Sequence, residues 1–181
     1  MIYLSAGHHN ADSGAVGNGY READLTKEFR NAIVKELDKL GVKYILDKDS
    51  ETNSQYQGRI KPGSGSVILD IHFNSATSNA SGVEVLIAND ANGDSRLFAS
   101  EILKTTLSAT GLPNRGVKKE SDSQHDRIGI LHRGAGITAL VEVGFISNVN
   151  DIKAYKKALP DLAKSYAKIL KQFEDLRVWE H

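Results

Sequence analysis

Short apolar runs alternate with amphipathic stretches along the whole chain. Residues 1–6 are apolar and stop abruptly at Gly7-His8-His9-Asn10, which predicts a buried strand opening into a loop. Residues 7–20 carry Gly14, Gly17 and Gly19 among Asn10, Asp12 and Asn18, so this backbone reaches conformations closed to bulkier residues. From Glu22 onward Leu25, Phe29, Ile33, Leu37 and Leu40 recur at steps of three and four, the spacing of one helical face, with Gly41 as the stop. A strand follows at 42–46. Residues 47–66 are polar with Pro62, Gly63 and Gly65, a loop with room for one helical turn. Strands are predicted at 67–72, whose last residue is His72, and at 82–87. Leu97, Phe98, Ile102, Leu103 and Leu107 mark a second helix over 95–107, closed by Gly111 and Pro113. Residues 115–132 are polar and weakly patterned, with a strand expected at 128–131. A buried strand is expected at 137–143. Beyond Asn148 a short helix and then a longer one are expected, with Pro160 at the start of the second.

Strand and helix alternation over the full length predicts one α/β domain, residues 1–181, with a mostly parallel, mixed, twisted sheet covered by helices on both faces. Composition narrows the chemistry. Lys+Arg 23 balances Asp+Glu 23 and aromatic residues make up 7%, so the broad basic, aromatic-rich surface of a nucleic-acid binder is not expected. The absence of cysteine removes disulfides, thiolate metal sites and thiol nucleophiles, leaving His and carboxylates to hold any metal. No apolar run approaches the roughly 20 residues that cross a bilayer, and the start lacks the pattern of a secretory signal, so neither membrane insertion nor a signal peptide is expected.

Three polar features stand where strands end: His8 or His9 after the first, His72 at the end of a central one, and Glu142 at the end of another. Parallel strands bring those ends to one rim, and the Gly-rich loop brings Glu22 toward it. Two imidazoles and a carboxylate form a recurring catalytic zinc set, and a second, uncoordinated carboxylate would carry the proton. Alone, Glu22 needs no more explanation than the helix dipole, and a His in a Gly-rich loop no more than solvation. His72 and Glu142 differ, because each puts a polar or charged group where an apolar strand would make it costly. His125 and His132 lie in the weakly patterned segment, and Lys118-Lys119 is expected to be a solvated face. Ser5 and Ser75 lack the Gly-x-Ser-x-Gly elbow of a serine hydrolase.

Taken together, Ser5-Ala6-Gly7-His8, Gly14-Ala15-Val16-Gly17, Glu22, Asp70-Ile71-His72-Phe73-Asn74-Ser75 and Val141-Glu142-Val143-Gly144-Phe145-Ile146-Ser147-Asn148 resemble the zinc-dependent N-acetylmuramoyl-L-alanine amidases of the amidase 3 type. The likeness runs through nearly the whole chain, in the family's order. Arg115-Gly116-Val117-Lys118 resembles the family's segment after its second long helix. The resemblance implies that His8, Glu22 and His72 bind one zinc ion and that Glu142 is the catalytic glutamate. It implies hydrolysis of the amide between N-acetylmuramic acid and L-alanine in peptidoglycan. Asn74 and His132 are expected to meet substrate; His9 and His132 depart from the family's usual residues. With neither export signal nor wall-binding repeat, the chain looks more like a phage endolysin than a secreted autolysin. It is expected to act on the bacterial cell wall as a monomer, released from the host cytoplasm if phage-encoded, or exported if part of an autolysin. The alternatives are another zinc peptidase of the wall and a non-catalytic wall-binding module of the same fold.

Overall fold

A computed structural model of the chain describes residues 1–123, 126–134 and 136–176. Its centre is a six-stranded sheet made of β1 (Ile2–Ala6), β4 (Tyr44–Leu46), β5 (Val67–Asn74), β6 (Val83–Ile87), β7 (Asn114–Lys119) and β8 (Ile137–Phe145). The strand order is β4-β1-β5-β8-β6-β7. The first four run parallel; β6 lies antiparallel to β8 and parallel to β7. A small hairpin, β2 (Val16–Gly17) with β3 (Tyr20–Arg21), interrupts the Gly-rich loop. The helices are α1 (Glu22–Lys39), α2 (Asn53–Arg59), α3 (Gly93–Thr110) and α4 (Val149–Leu176).

Strand alternation divides the sheet's residues between two unlike faces. Ile2, Leu4, Leu69, Ile71, Val85 and Val141 point to one side, where α1, α3 and α4 close over them with Phe29, Ile33, Phe98, Tyr155 and Tyr166. Each such side chain contributes roughly 1.5–3 kcal/mol when fully buried, so this layer is the scaffold. The opposite face has a smaller apolar cluster, Tyr3, Ile68, Leu86 and Leu140, under Tyr56 of α2 and Ile130 and Leu131 of a 3-10 turn (Gly129–His132). Toward one rim the same face turns polar: Ser5 and Asp70 lie two residues past Tyr3 and Ile68, His72 two past Asp70, Glu142 two past Leu140, and Glu84, on the antiparallel strand, two before Leu86. Within β5 and β8 every residue is buried except His72, Asn74 and Glu142.

Helices thus lie on both faces as expected, though unequally. The helical turn expected in 47–66 is α2, seven residues long. Its Thr52 and Gln55 form a capping box: the Gln55 N–H donates to Thr52 Oγ1 and the Thr52 N–H to Gln55 Oε1. The expected strand at 128–131 is instead the 3-10 turn, and the strand of this segment is β7. As an edge strand, β7 is held through its backbone to β6 and leaves its side chains half-exposed, so it shows no apolar pattern.

The two helices expected beyond Asn148 are one, α4, with Pro160 inside it. Buried Ile152, Tyr155 and Ala158 before Pro160 and Leu162, Ala163 and Tyr166 after it follow one stripe on the same core, and that packing overrides the break. Pro160 is exposed and, lacking an N–H, cannot donate to the Lys156 carbonyl. Pro160→Ala should therefore stabilise the protein by about 1–2 kcal/mol, after allowance for a looser unfolded chain, and raise Tm. A fall in Tm would mean that Pro160 starts a separate helix.

Candidate metal centre

Glu22 is the first residue of α1, where the helix dipole favours a carboxylate. Thr26, one turn on, donates from Oγ1 to the Gly7 carbonyl (2.8 Å) and ties the helix start to the loop leaving β1. Glu22 Oε1 accepts the Phe73 N–H (3.0 Å) and lies 3.0 Å from His72 Nδ1. Oε2 accepts the Ala15 N–H (3.0 Å) and lies 3.0 Å from His8 Nε2. The three side chains each offer a ligand atom, all within 4.8 Å of one another, a set that could hold a metal ion.

The rear nitrogens of both rings meet carboxylates. His8 Nδ1 is 2.8 Å from Asp12 Oδ2, and His72 Nε2 is 3.3 Å from Asp70 Oδ2. Asp70 is itself held by Ser5 Oγ, which donates to Oδ1 at 2.5 Å. Such partners fix ring orientation and tautomer and raise ligand basicity. The electrostatics agree. Burial opposes ionisation of Glu22, yet hydrogen bonds and charge from His72 and His8 outweigh it and hold the carboxyl well below the usual range. Burial likewise works against charge on the imidazoles, but Asp70 and Glu22 raise His72, and Glu22 and Asp12 raise His8.

Two glycines make room for the set. A Cβ on Gly7 would collide with the His72 ring. Gly14, at φ +60, would place a Cβ 2.5 Å from His8 Cδ2 and 2.7 Å from Glu22 Oε2. His8 also has a positive φ, 71°, a conformation that costs a non-glycine residue roughly 1–3 kcal/mol and is held here by its two carboxylate partners.

Glu142 on β8 stands in register with His72 on one side and Glu84 on the other. Its Oε2 is shielded from solvent and has no hydrogen-bond partner among the described residues. Burial pushes the carboxyl up to about 7; His72 resists the shift, while Glu22, Glu84 and Asp70 add to it. Glu142 is shared by two cavities. One, of about 350 Å³, is lined also by Asn74, Glu84, Arg115, Lys118 and Phe145. The other, of about 200 Å³, is lined also by Asp70, His72, Gln57, Arg127 and Ile128.

Of the residues expected from sequence, the structure brings His8, Glu22 and His72 together and sets Glu142 beside His72. Between the two histidines of the loop it is His8 that faces Glu22; His9 Nδ1 accepts the Ala11 N–H (3.3 Å). Asn74 lines the larger cavity and donates from Nδ2 to Glu84 Oε1 (3.0 Å). His132 turns Nε2 to Glu120 Oε1 (2.7 Å) and lines neither cavity. His125 lies outside the described residues. Of Lys118-Lys119, Lys119 is exposed as expected, whereas Lys118 turns its ammonium to Glu84 Oε2 at 2.7 Å, where a buried carboxylate needs a cation. Asp12, Asp70 and Glu84 were missed. Asp70 carried a signal, an acid in an apolar strand two residues before His72 and so on its face, and Glu84 carried the same signal within 83–87. Asp12 carried none.

Comparison with known proteins gives a consistent picture. A family model described as N-acetylmuramoyl-L-alanine amidase matches residues 2–172. An uncharacterised protein, YqiI of Bacillus subtilis (strain 168), is 31% identical over 154 residues, covering 83% of this chain and 72% of that protein. The sporulation-specific N-acetylmuramoyl-L-alanine amidase of the same organism is 28% identical over 185 residues, covering 97% and 69%. Among solved structures, N-acetylmuramoyl-L-alanine amidase AmiC2 of Nostoc punctiforme shares the fold with a TM-score of 0.76 at 21% identity, covering 96% of each chain.

The glycine contacts give a direct test. Gly14→Ala should weaken Zn²⁺ binding, titrated calorimetrically into metal-free protein, by about 10- to 100-fold, the range found when support for a metal ligand is disturbed. Gly63→Ala, where a Cβ meets nothing within 4 Å, should leave it unchanged. Equal affinities for both variants would show that the set does not bind the ion.

Proposed function

The chain belongs to the N-acetylmuramoyl-L-alanine amidase family, and from that premise we propose that His8, Glu22 and His72 hold one zinc ion beside which Glu142 moves the proton of the reaction. The reaction is hydrolysis of the amide between N-acetylmuramic acid and L-alanine in peptidoglycan. The observation that carries the reading is the unpartnered, shielded Oε2 of Glu142, one strand away from a metal ligand. A buried carboxylate oxygen without a donor is costly unless its task is to take up and give back a proton.

Zinc held by two neutral imidazoles and a carboxylate supplies a Lewis acid that lowers the pKa of water from about 15.7 toward roughly 7 and polarises a carbonyl. The residues do the rest. Asp70 and Asp12 take the rear N–H of His72 and His8, so His72 Nδ1 and His8 Nε2 keep their lone pairs for the ion. Glu142 accepts a proton at Oε2 from the attacking water as its oxygen bonds to the lactyl carbonyl carbon. It then delivers that proton to the alanine nitrogen as the C–N bond breaks, leaving a muramic carboxylic acid and a free amine. The shift of this carboxyl toward neutrality suits both halves of the task. All four residues come from one chain, which supports action as a monomer, and we read residues 1–181 as one catalytic domain working on the bacterial cell wall.

Glu142→Gln should lower kcat by about 10²- to 10⁴-fold with zinc content unchanged, measured as new N-terminal alanine released from purified peptidoglycan. His72→Ala should lose zinc and activity together. Full activity in the first variant, or full zinc in the second, would overturn the assignment; new ends other than alanine would point to a wall peptidase.

A further inference from the structure

The polar row does not stop at Glu142. Glu84, its neighbour across the sheet, is buried, and its carboxylate is fully engaged: Oε1 accepts from Asn74, and Oε2 accepts from Arg115 Nε (2.8 Å) and Lys118 Nζ (2.7 Å). Around Glu84 itself one carboxylate faces two cations, while Asp122 and Glu142 line the same cavity and offset that charge, so what is offered to a ligand is the local pair of donors, Arg115 and Lys118. The Arg115 guanidinium lies over the Phe145 ring, 4.9 Å from its centre, which fixes its plane. Among the described residues its two Nη groups have no hydrogen-bond partner, and Lys118 Nζ has none but Glu84.

The pairing of these cations depends on a local distortion. Arg115 and Lys118 are three residues apart, a spacing that sends side chains to opposite faces of a regular strand. In β7 the register slips: Val83 faces Asn114 but Glu84 faces Gly116, so Arg115 is the extra residue of a bulge. Gly116 takes φ 92, a conformation suited to glycine. The bulge lets both cations reach Glu84, on the cavity of about 350 Å³ that also contains Glu142. Asp122 stands at the same cavity with Oδ2 accepting the Lys119 N–H (3.2 Å).

We propose that this cavity is a carboxylate-recognition subsite in which Arg115 and Lys118 bind the α-carboxylate of the stem-peptide residue that follows the alanine, a group left free where that residue continues the peptide through its side-chain carboxyl. The inference rests on the reaction proposed above. In that substrate the lactyl carboxyl of the sugar is consumed in the scissile amide, so the negative charge near the bond comes from the peptide. Adjacent strands are about 4.8 Å apart and an extended residue spans roughly 3.3 Å, so cations one side chain beyond Glu84 stand about two residues from an amide held at Glu142. Arg and Lys together supply the fork and the point charge that bind a carboxylate well.

The test uses two soluble N-acetylmuramoyl tripeptides whose second residue is a glutamate joined to the third through its γ-carboxyl, identical except that this residue's α-carboxyl is free in one and amidated in the other. The zinc-loaded protein should show a kcat/KM about tenfold or more higher for the free acid, the worth of charge-assisted hydrogen bonds. Lys118→Met and Arg115→Met, each of which leaves Glu84 one cation, should bring that ratio toward one through a raised KM for the free acid. A wild-type ratio near one, or variants that lose equally on both substrates, would overturn the subsite. Failure to release N-terminal alanine from either substrate would instead overturn the reaction on which the proposal rests.

Discussion

The Glu22 carboxylate is the point on which the site turns. Its two oxygens meet an imidazole each and accept a backbone N–H each, from Ala15 in the loop and Phe73 in β5. The loop that carries His8 and the end of β5 are thereby both fastened to the first turn of α1. A carboxylate buried to this degree would cost several kcal/mol without such partners. With them it stays ionised, orients both rings, and makes the position of a helix end the position of a set that could hold a metal ion.

The same alternation that builds the scaffold also builds the site. On one face of the sheet apolar residues continue to the strand ends and are sealed by three long helices. On the other, Ile68, Leu140 and Leu86 give way within two residues to Asp70, Glu142 and Glu84, with His72 two residues beyond Asp70. The charged row is thus carried on backbone whose far side is fully packed, which is how it gains rigidity. Because β6 runs against β8, Glu84 comes from the start of its strand while His72 and Glu142 come from near the ends of theirs.

What could be read from the amino acids follows from this arrangement. Strands β1, β4, β5, β6 and β8 and helices α1 and α3 were legible because their apolar patterns are strong, and His72 and Glu142 stood out because each breaks an apolar run. The family resemblance added the roles. Less legible was whatever depends on neighbours in space: the choice of His8 over His9, Asp12 behind the ring, Glu84 opposite Glu142, and the bulge that turns Lys118 inward. β7 escaped notice because a polar edge strand is defined by its backbone pairing, and Pro160 misled because a continuous packed stripe outweighs a local break.

The loop that carries His8 is tied at many points. Its Gly7 N–H reaches the Ile71 carbonyl, its Asn10 N–H the Asp49 carbonyl, and Asn18 Nδ2 the Ile146 carbonyl (2.8 Å), just past the strand that bears Glu142. Gly17 sits against that same carbonyl too closely for any side chain. Such a segment acts as a strut and not as a flap: swinging it aside would break several bonds at once, so its opening is a rare event. The spacing of His8 from Glu22, and of the loop from the end of β8, is then set before anything binds, and no large rearrangement of the loop is needed to assemble the three side chains.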